Sequence, residues 1–273
     1  MKTKNLICAS LLIVALPVAD TALADAVNDP DYAISGNVAL TSDYMFRGLT
    51  QTWGDLAIQG GADLSMKNGV AAGFWASSIS GGSYPGASLE LDVYASYGAA
   101  INDDWSWRAG LYGYLYPHGN LDRAGLPSRS FDTLEANAAL TWKWLTLKYS
   151  SSLTDYFGIE TEQGYRGDSK GTGYVQLDAA IPLDARWSLA LHAGHTSIPT
   201  RLAVPLANGA NDPDYDDFGA ALKCQLAPHW SATLGATYAD NHAFYGHTVS
   251  FTNASDTKNV GGTRGYVMLQ GSF

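Results

Sequence analysis

His195 and Ser197 are the side chains whose types and spacing come closest to nucleophilic chemistry. They lie two residues apart in a predicted strand and therefore share one of its faces. A carboxylate from Asp214 or Asp216 on the next strand would complete a nucleophile, a base and an orienting group. The shared face is apolar, so a lipid-facing esterase is one hypothesis. A single His-x-Ser pair also arises easily by chance, and the main prediction is that the protein is not an enzyme.

Charged side chains at alternate positions of apolar segments form a second, larger set. Successive side chains of a strand point to opposite faces, so these residues share a polar face while their neighbours form an apolar one. If the apolar faces look to lipid, the polar faces line an enclosed lumen. Carboxylates slightly outnumber basic groups, which predicts a mild preference for cations or neutral polar solutes. The predicted pore-lining residues are Asp43, Arg47, Asp63, Glu90, Asp92, Arg108, Glu135, Lys148, Asp178, Lys223 and Arg264.

Motifs for other chemistry are absent from the sequence. It contains no Walker loop, no paired-cysteine metal site and no His-Glu-x-x-His, so we expect no cofactor and no metal. The sequence Asn-Asp-Pro-Asp-Tyr occurs at 28–32 and again at 211–215. Proline after aspartate presets a turn, which is the favoured interpretation. The four carboxylates within 212–217 leave a cation site as the alternative.

The predicted lining residues lie in segments where apolar and polar residues alternate with a period of two, and these segments must position them. At 88–100, for example, Leu89 and Leu91 fall on one face and Glu90 and Asp92 on the other. Helical spacing is not sustained anywhere. The pattern predicts an all-β fold, a transmembrane antiparallel barrel of about twelve strands. The strands are expected near 36–47, 55–66, 70–79, 88–101, 104–116, 130–141, 144–153, 171–181, 186–197, 214–226, 230–240 and 263–273.

The connections between these strands alternate in length. Short turns at one end and long loops at the other are typical of a bacterial outer-membrane barrel. An even strand count places both chain ends on the periplasmic side. The predicted short turns are 67–69, 102–103, 142–143, 182–185 and 227–229. The predicted long loops, rich in Gly, Asn, Asp and Pro, are 48–54, 80–87, 117–129, 154–170, 198–213 and 241–262.

Aromatic residues mark the ends of the predicted strands. Tryptophans that follow short turns would all lie at one rim, at a membrane interface. The alternative is the core of a soluble sandwich, whose turns need not alternate short and long. Phe273 ends the last strand and resembles the C-terminal signal read by the barrel assembly machinery. The tryptophans concerned are Trp105, Trp107, Trp144, Trp187 and Trp230.

The N-terminus indicates export. Residues 1–24 combine two lysines, an apolar run and a small-x-small cleavage site, as a secretory signal peptide does. A lipoprotein signal at Cys8 is the weaker alternative, because the apolar run lies mostly after that cysteine. Cleavage would remove Lys2, Lys4 and Asp20 and change the formal charge from -10 to -11, which argues against nucleic acid as a partner. Cys224 alone would remain, so no intrachain disulfide can form.

The predicted organisation is a signal peptide at 1–24, a short periplasmic segment at 25–34 and one outer-membrane barrel at 35–273. No stretch of the mature chain is long and apolar enough for a membrane helix, and a spanning sheet must close because open edges facing hydrocarbon are costly. We expect a monomeric or weakly oligomeric narrow pore for small polar solutes, surrounded by outer-membrane lipid and lipopolysaccharide. The alternative is a closed structural or receptor barrel that acts through its loops at 154–170 and 241–262.

The segment Ser35 to Asp63, SGNVALTSDYMFRGLTQTWGDLAIQGGAD, resembles the opening of the TorF-type porin family, also known as Gcw-type conserved hypothetical proteins. The similarity continues more loosely through 90–94, 147–150 and the C-terminal strand. The segment departs from the family pattern at Leu49-Thr50 and at Leu56, and neither departure disturbs the alternation of apolar and polar residues. The resemblance implies a porin-like outer-membrane barrel and supplies no substrate.

Overall fold

A computed structural model describes residues 31–273, which form a closed antiparallel β-barrel of twelve long strands. Four two-residue strands and three single-turn helices lie in the loops. The strands in chain order are β1 Tyr32–Thr41, β2 Met45–Phe46, β3 Leu49–Thr50, β4 Ala57–Met66, β5 Val70–Ser78, β6 Leu89–Ala100, β7 Trp105–Leu115, β8 Thr133–Trp142, β9 Leu145–Ser152, β10 Gly173–Pro182, β11 Trp187–Ser197, β12 Tyr215–Ala227, β13 Trp230–Ala239, β14 Thr248–Val249, β15 Thr257–Lys258 and β16 Gly262–Ser272. The helices are the 3-10 turns Leu121–Ala124 and Thr161–Gln163 and the α-helix α1, His242–Tyr245.

The barrel order confirms the predicted fold class. The twelve wall strands are β1, β4 to β13 and β16, and each pairs with its sequence neighbours in the wall. The circle closes where Asn37–Thr41 of β1 pairs with Met268–Ser272 of β16. Beside this seam Gly36 and Phe273 exchange two backbone hydrogen bonds, of 2.7 and 3.0 Å. No backbone edge of the wall is therefore left open in the described residues, as a sheet in hydrocarbon requires.

The connections also alternate as predicted. Turns at 67–69, 101–104, 143–144, 183–186 and 228–229 gather at one end of the barrel, the short-turn rim. Loops at 42–56, 79–88, 116–132, 153–172, 198–214 and 240–261 gather at the other end, the long-loop rim. The tryptophans that follow short turns lie just before or within the first three residues of strands at the short-turn rim, and they are exposed on the outer surface.

The outer face of the wall is apolar. Val38 of β1, Phe74 of β5 and Leu147 of β9 are about half exposed, although each lies in a regular strand. The alternate residues of the same strands point inward, and Asn37 and Ser150 among them are buried. This arrangement matches a wall between hydrocarbon and an enclosed polar space.

The first strand differs from its prediction. It runs from Tyr32 to Thr41 rather than from 36 to 47, and it therefore begins inside the segment predicted as periplasmic. The chain then leaves the wall, and Met45–Phe46 pairs with Leu49–Thr50 in a small hairpin inside the barrel. The backbone N–H of Gln51 also donates to the Tyr44 carbonyl at 2.8 Å, and we call residues 43–52 the inner hairpin. Residues 42–47 keep the alternation of β1, so their pattern could not show that the chain turns inward.

An aromatic core fills part of the interior next to the inner hairpin. Tyr84 and Tyr116 stack with ring centroids 4.4 Å apart, and Phe46 packs edge-on against Tyr114 at 5.6 Å. The core lies inside the barrel in its long-loop half, on the side of β5 to β8. Its other buried members are Tyr44, Ala57, Trp75, Ile79, Ala87, Leu121 and Phe131.

The predicted signal peptide, its Cys8 alternative and the first copy of the Asn-Asp-Pro-Asp-Tyr repeat fall largely in residues 1–30, outside the described part of the chain. Between Asp31 and Phe273, no helix is long and apolar enough to cross a membrane.

Candidate functional site in the barrel interior

The tip of the inner hairpin is a two-residue turn. Arg47 has a φ of 47° and Gly48 a φ of 76°, and both fall in the left-handed region. Two successive positive φ values are the requirement of a type I′ turn, which matches the natural twist of a tight hairpin. The turn projects the Arg47 side chain away from the hairpin and towards the opposite wall.

Asp43 fixes the base of the inner hairpin. Its carboxylate accepts hydrogen bonds from the hydroxyls of Thr50 at 2.5 Å and Thr52 at 2.9 Å. Arg264 of β16 donates to the same carboxylate at 2.9 Å through Nε and lies 2.8 Å away through Nη2. Two predicted lining residues are therefore joined here, but Asp43 lies in the loop after β1 and not in the strand itself.

Arg47 is enclosed by a carboxylate and aromatic rings. Its Nη2 lies 2.8 Å from Glu135 Oε2, and its Nη1 donates to the Tyr156 hydroxyl at 3.0 Å. The guanidinium carbon is 4.1 Å from the ring centre of Tyr174 and 4.9 Å from that of Phe46. Burial lowers the pKa of Arg47, but the Glu135 carboxylate raises it, and the pKa ends well above its usual value. We call Glu135, Tyr156, Tyr174 and Phe46 the guanidinium cage.

The inner hairpin also touches the remaining sides of the wall. Tyr44 packs edge-on against Trp75 of β5 at 5.3 Å and donates a hydrogen bond of 3.2 Å to Glu90 of β6. On the opposite side, a Cβ at Gly48 would lie 2.8 Å from the Cβ of Asp217 and 3.0 Å from that of Ala239. The hairpin therefore crosses the interior from β5 and β6 to β12 and β13.

Three predicted lining carboxylates, Glu90, Asp92 and Glu135, are buried beneath this crossing, each with 1% of its surface exposed. Among the described residues, neither oxygen of Asp92 has a hydrogen-bond partner, and Glu90 Oε2 and Glu135 Oε1 also have none. A buried carboxylate without a partner is costly. Such groups avoid this cost by holding a proton, and within residues 31–273 only Glu135 of the three pairs with a cationic side chain, Arg47.

A histidine cluster lies next to the cage. His192 of β11 contacts Asp178 at 2.6 Å through Nδ1 and Asp217 at 2.8 Å through Nε2. The Tyr174 hydroxyl lies 2.9 Å from His192 and 3.1 Å from Asp217. Gln176 donates to the second oxygen of Asp178 at 2.6 Å. These hydrogen bonds hold the ring of Tyr174 in place against Arg47.

The short-turn half of the interior is lined by half-buried polar and aromatic groups. Tyr94 donates a hydrogen bond of 2.7 Å to Asp63 and stacks on Tyr112 with centroids 4.6 Å apart. The ammonium group of Lys148 lies 5.7 Å from the ring centre of Tyr112. Arg108, which donates to Ser96 at 2.8 Å, is exposed at the rim. Lys223 is half-buried on β12.

The side chains of the esterase hypothesis are exposed on the outer face at the long-loop rim. His195 Nδ1 lies 2.7 Å from Asp216, whereas Ser197 donates to Asp214 at 3.4 Å. A catalytic relay needs the histidine between the serine and the carboxylate. Here each of the two residues has a carboxylate of its own, so these contacts do not assemble such a relay.

The aspartates of 212–217 also have separate partners. Asp212 pairs with Arg201 at 2.7 Å, and Asp214 accepts the backbone N–H of Ile198 at 2.6 Å. Asp217 points inward to His192, as described above. Across residues 31–273 no group of three or more His, Cys, Asp or Glu side chains is arranged to hold a metal ion.

The sequence did not reveal which distant residues contact each other. It selected Arg47 and Glu135 separately but not their contact, which joins residues 88 positions apart. It did not select His192, although that residue alternates with outward Leu191 and so belongs to the inner face. Tyr44, Tyr174 and Phe46 were also missed, because an aromatic residue in a strand pattern fits either face.

Residues 25–273 match a family model described as "Bacterial protein of unknown function (Gcw_chp)". This match confirms the resemblance to Gcw-type proteins found at residues 35–63. No curated protein matches the chain.

Among solved structures, a KdgM porin in complex with disordered oligogalacturonate is 9% identical, with a TM-score of 0.50 over 88% of this chain and 98% of that one. A second KdgM porin structure is 10% identical, with a TM-score of 0.50 over 88% and 99%. A NanC porin is 13% identical, with a TM-score of 0.49 over 88% and 98%. At such identities the similarity to KdgM shows a shared fold, and a fold alone does not define a function.

Proposed function

The chain belongs to the Gcw_chp family of bacterial proteins, and we propose that this member is an outer-membrane channel for small polar solutes. One observation carries the proposal: a closed wall that is apolar outside encloses charged and polar side chains inside. Such a wall separates hydrocarbon from an aqueous or solute-filled space. The protein is then exported by its N-terminal signal peptide and surrounded by outer-membrane lipid and lipopolysaccharide, with the short-turn rim facing the periplasm.

The proposed selectivity is mild and favours cations or neutral solutes. The predicted lining set holds six carboxyl groups and five basic groups, and half-buried members such as Asp63 keep access to water and to the solute. A low-dielectric wall focuses the field of such charges on the solute path. A polyanion such as the oligogalacturonate of the KdgM structure is then a poor solute for this barrel. The predicted pore-lining set remains a proposal, in which Asp63, Lys148 and Arg108 line the short-turn half.

The test is conductance in planar bilayers with the reversal potential measured in asymmetric KCl. We expect discrete current steps and a small cation preference that weakens at high salt. Asp63→Asn and Lys148→Gln form a matched pair, because each removes one charge from the short-turn half. The first is expected to reduce the cation preference and the second to increase it. An anion preference of the unmodified protein would contradict the assigned lumen.

The inner hairpin favours a second candidate, a closed barrel that acts through its loops. The hairpin contacts β5, β6, β8, β10, β12 and β13, so it extends across the interior of the long-loop half. Loops 153–172 and 198–214 also form an open cavity of about 400 Å³, lined in part by Arg166, Asp168 and Arg201. Absence of current from a correctly folded protein, together with binding of a ligand at these loops, would favour this candidate.

A further inference from the structure

The surroundings of Arg47 have the composition of a ligand site. A carboxylate accepts from one end of the guanidinium, a phenol accepts from the other, and the ring of Tyr174 covers its face at 4.1 Å. A planar guanidinium combines these three contacts better than an ammonium group does, because it donates in a fixed fork and stacks on aromatic rings.

Most of the guanidinium cage does not belong to the inner hairpin. Glu135 is on β8, Tyr174 on β10 and Tyr156 in loop 153–172, while Phe46 alone comes from the hairpin. Tyr174 is held by its hydrogen bonds to His192 and Asp217, independently of Arg47. Three sides of the cage therefore come from the wall and from loop 153–172, and not from the segment that carries Arg47.

The cage also has unused capacity for a cation. Glu135 has 1% of its surface exposed, and its Oε1 has no hydrogen-bond partner among the described residues. A guanidinium with free orientation can engage both oxygens of a carboxylate, which Arg47 does not do here. The charge of Glu135, the carboxylate that faces Arg47, favours a cation over a neutral molecule of the same shape.

Arg264 shows that a luminal arginine does not require such a cage. It too pairs with a carboxylate, Asp43, at 2.8 Å, but its side chain is 21% exposed, against 3% for Arg47. Its partner Asp43 is already occupied by the hydroxyls of Thr50 and Thr52. Arg264 is therefore a matched control for the loss of one interior guanidinium.

We propose that Glu135, Tyr156, Tyr174 and Phe46 form a binding site for guanidinium groups, which the chain's own Arg47 occupies in this structure and for which a guanidinium-bearing solute competes. This inference rests on the proposed passage of solutes through the interior and names the solute class. A solute that displaces Arg47 also releases the tip of the inner hairpin, so binding and opening of the long-loop half are coupled.

The first experiment is chemical rescue in detergent micelles. Arg47→Ala is expected to lower the unfolding temperature, and guanidinium chloride at low, non-denaturing concentrations is expected to raise it again in a saturable way. Urea, which has a similar shape but no charge, and sodium chloride are expected not to do so. Arg264→Ala is expected to show no shift specific to guanidinium. Rescue must disappear in Arg47→Ala/Glu135→Gln.

Equal responses of Arg47→Ala and Arg264→Ala to guanidinium would overturn the proposal, as would rescue that survives the loss of the Glu135 charge. If Arg47→Ala does not fold, the unmodified barrel gives the second measurement, the permeability of guanidinium relative to potassium in planar bilayers. That ratio is expected to fall several-fold in Glu135→Gln and to stay unchanged in Arg123→Gln, whose side chain is exposed on loop 116–132. An unchanged ratio in Glu135→Gln would overturn the proposal. If no variant conducts, the channel function fails, but rescue in detergent still decides the guanidinium site.

Discussion

Arg129 and Glu160 show how burial changes the behaviour of a charged residue at the long-loop rim. Arg129 bridges Asp155 and Glu160, and its Nη2 lies 3.1 Å from Glu160 Oε2. Glu160 is buried and lies beside Glu162. Burial, followed by the hydrogen bond with Glu162, raises the pKa of Glu160 to about 7.

Loop 153–172 is therefore expected to loosen as the pH rises between about 4.5 and about 7. In this window Glu160 holds a proton when the loop is docked and releases it when the loop is undocked. Docking therefore becomes less favourable as the pH rises. We expect the docking equilibrium to fall several-fold across this window. Hydrogen exchange of the amides in 153–172, corrected for intrinsic rates, measures it. Glu160→Gln is expected to abolish the dependence, and a loop whose protection is flat with pH in the unmodified protein would contradict the prediction.

The inner hairpin is the element that sets the shape of the interior. Its turn needs positive φ at Gly48, and the same residue lies against Asp217 and Ala239. Backbone conformation and close packing therefore both require glycine there. Gly209 shares only the first requirement, because it has a φ of 87° but nothing within 4 Å of an added Cβ.

Gly48→Ala is expected to destabilise the docked hairpin more than Gly209→Ala destabilises its loop. Positive φ alone costs an alanine about 1–2 kcal/mol, and at Gly48 the contact of an added Cβ with the wall adds to this. The consequence is a higher or noisier single-channel current in Gly48→Ala and an unchanged current in Gly209→Ala. Limited proteolysis at 42–56 provides a second measurement. Equal behaviour of the two variants would show that the hairpin does not depend on close packing at its tip.

The wall strands could be predicted from sequence because their signals are local. Alternation such as Leu89-Glu90-Leu91-Asp92 and turn residues such as Lys67-Asn68-Gly69 act over a few positions. The inner hairpin could not be predicted in this way. Asp43 and Arg47 continue the polar positions of β1, and only contacts with distant strands decide that the chain turns inward. The charged residues of the interior were therefore identified, but not their pairs, and the aromatic core around them was not foreseen.

The seam between β1 and β16 closes the twelve-strand sheet into a barrel. At its end the backbone N–H of Gly36 donates to Phe273 at 2.7 Å, and the N–H of Phe273 donates back at 3.0 Å. The Phe273 ring lies over Gly36, where an added Cβ would approach it to 2.7 Å. The C-terminal residue thus contributes both backbone bonds and a ring to closure.

Deletion of Phe273 is expected to lower the unfolding temperature of the barrel refolded in detergent, because both backbone hydrogen bonds are lost. Phe273→Ala keeps those bonds and is expected to unfold close to the temperature of the unmodified protein. If the ring is also the signal for the assembly machinery, Phe273→Ala still reduces the amount of barrel in cells. Heat-dependent migration on gels measures the first effect and outer-membrane yield the second. If the Phe273→Ala barrel is as unstable as the deletion, the ring rather than the backbone hydrogen bonds stabilises the seam.

The partners of the inner hairpin are spread along the chain from Trp75 to Arg264. Among these contacts, the pair of Asp43 with Arg264 ties the base of the hairpin to β16, one of the two strands of the seam. A change that weakens the seam is therefore expected to loosen the base of the hairpin as well. The pair of Arg47 with Glu135 involves β8 alone and does not depend on closure in this way.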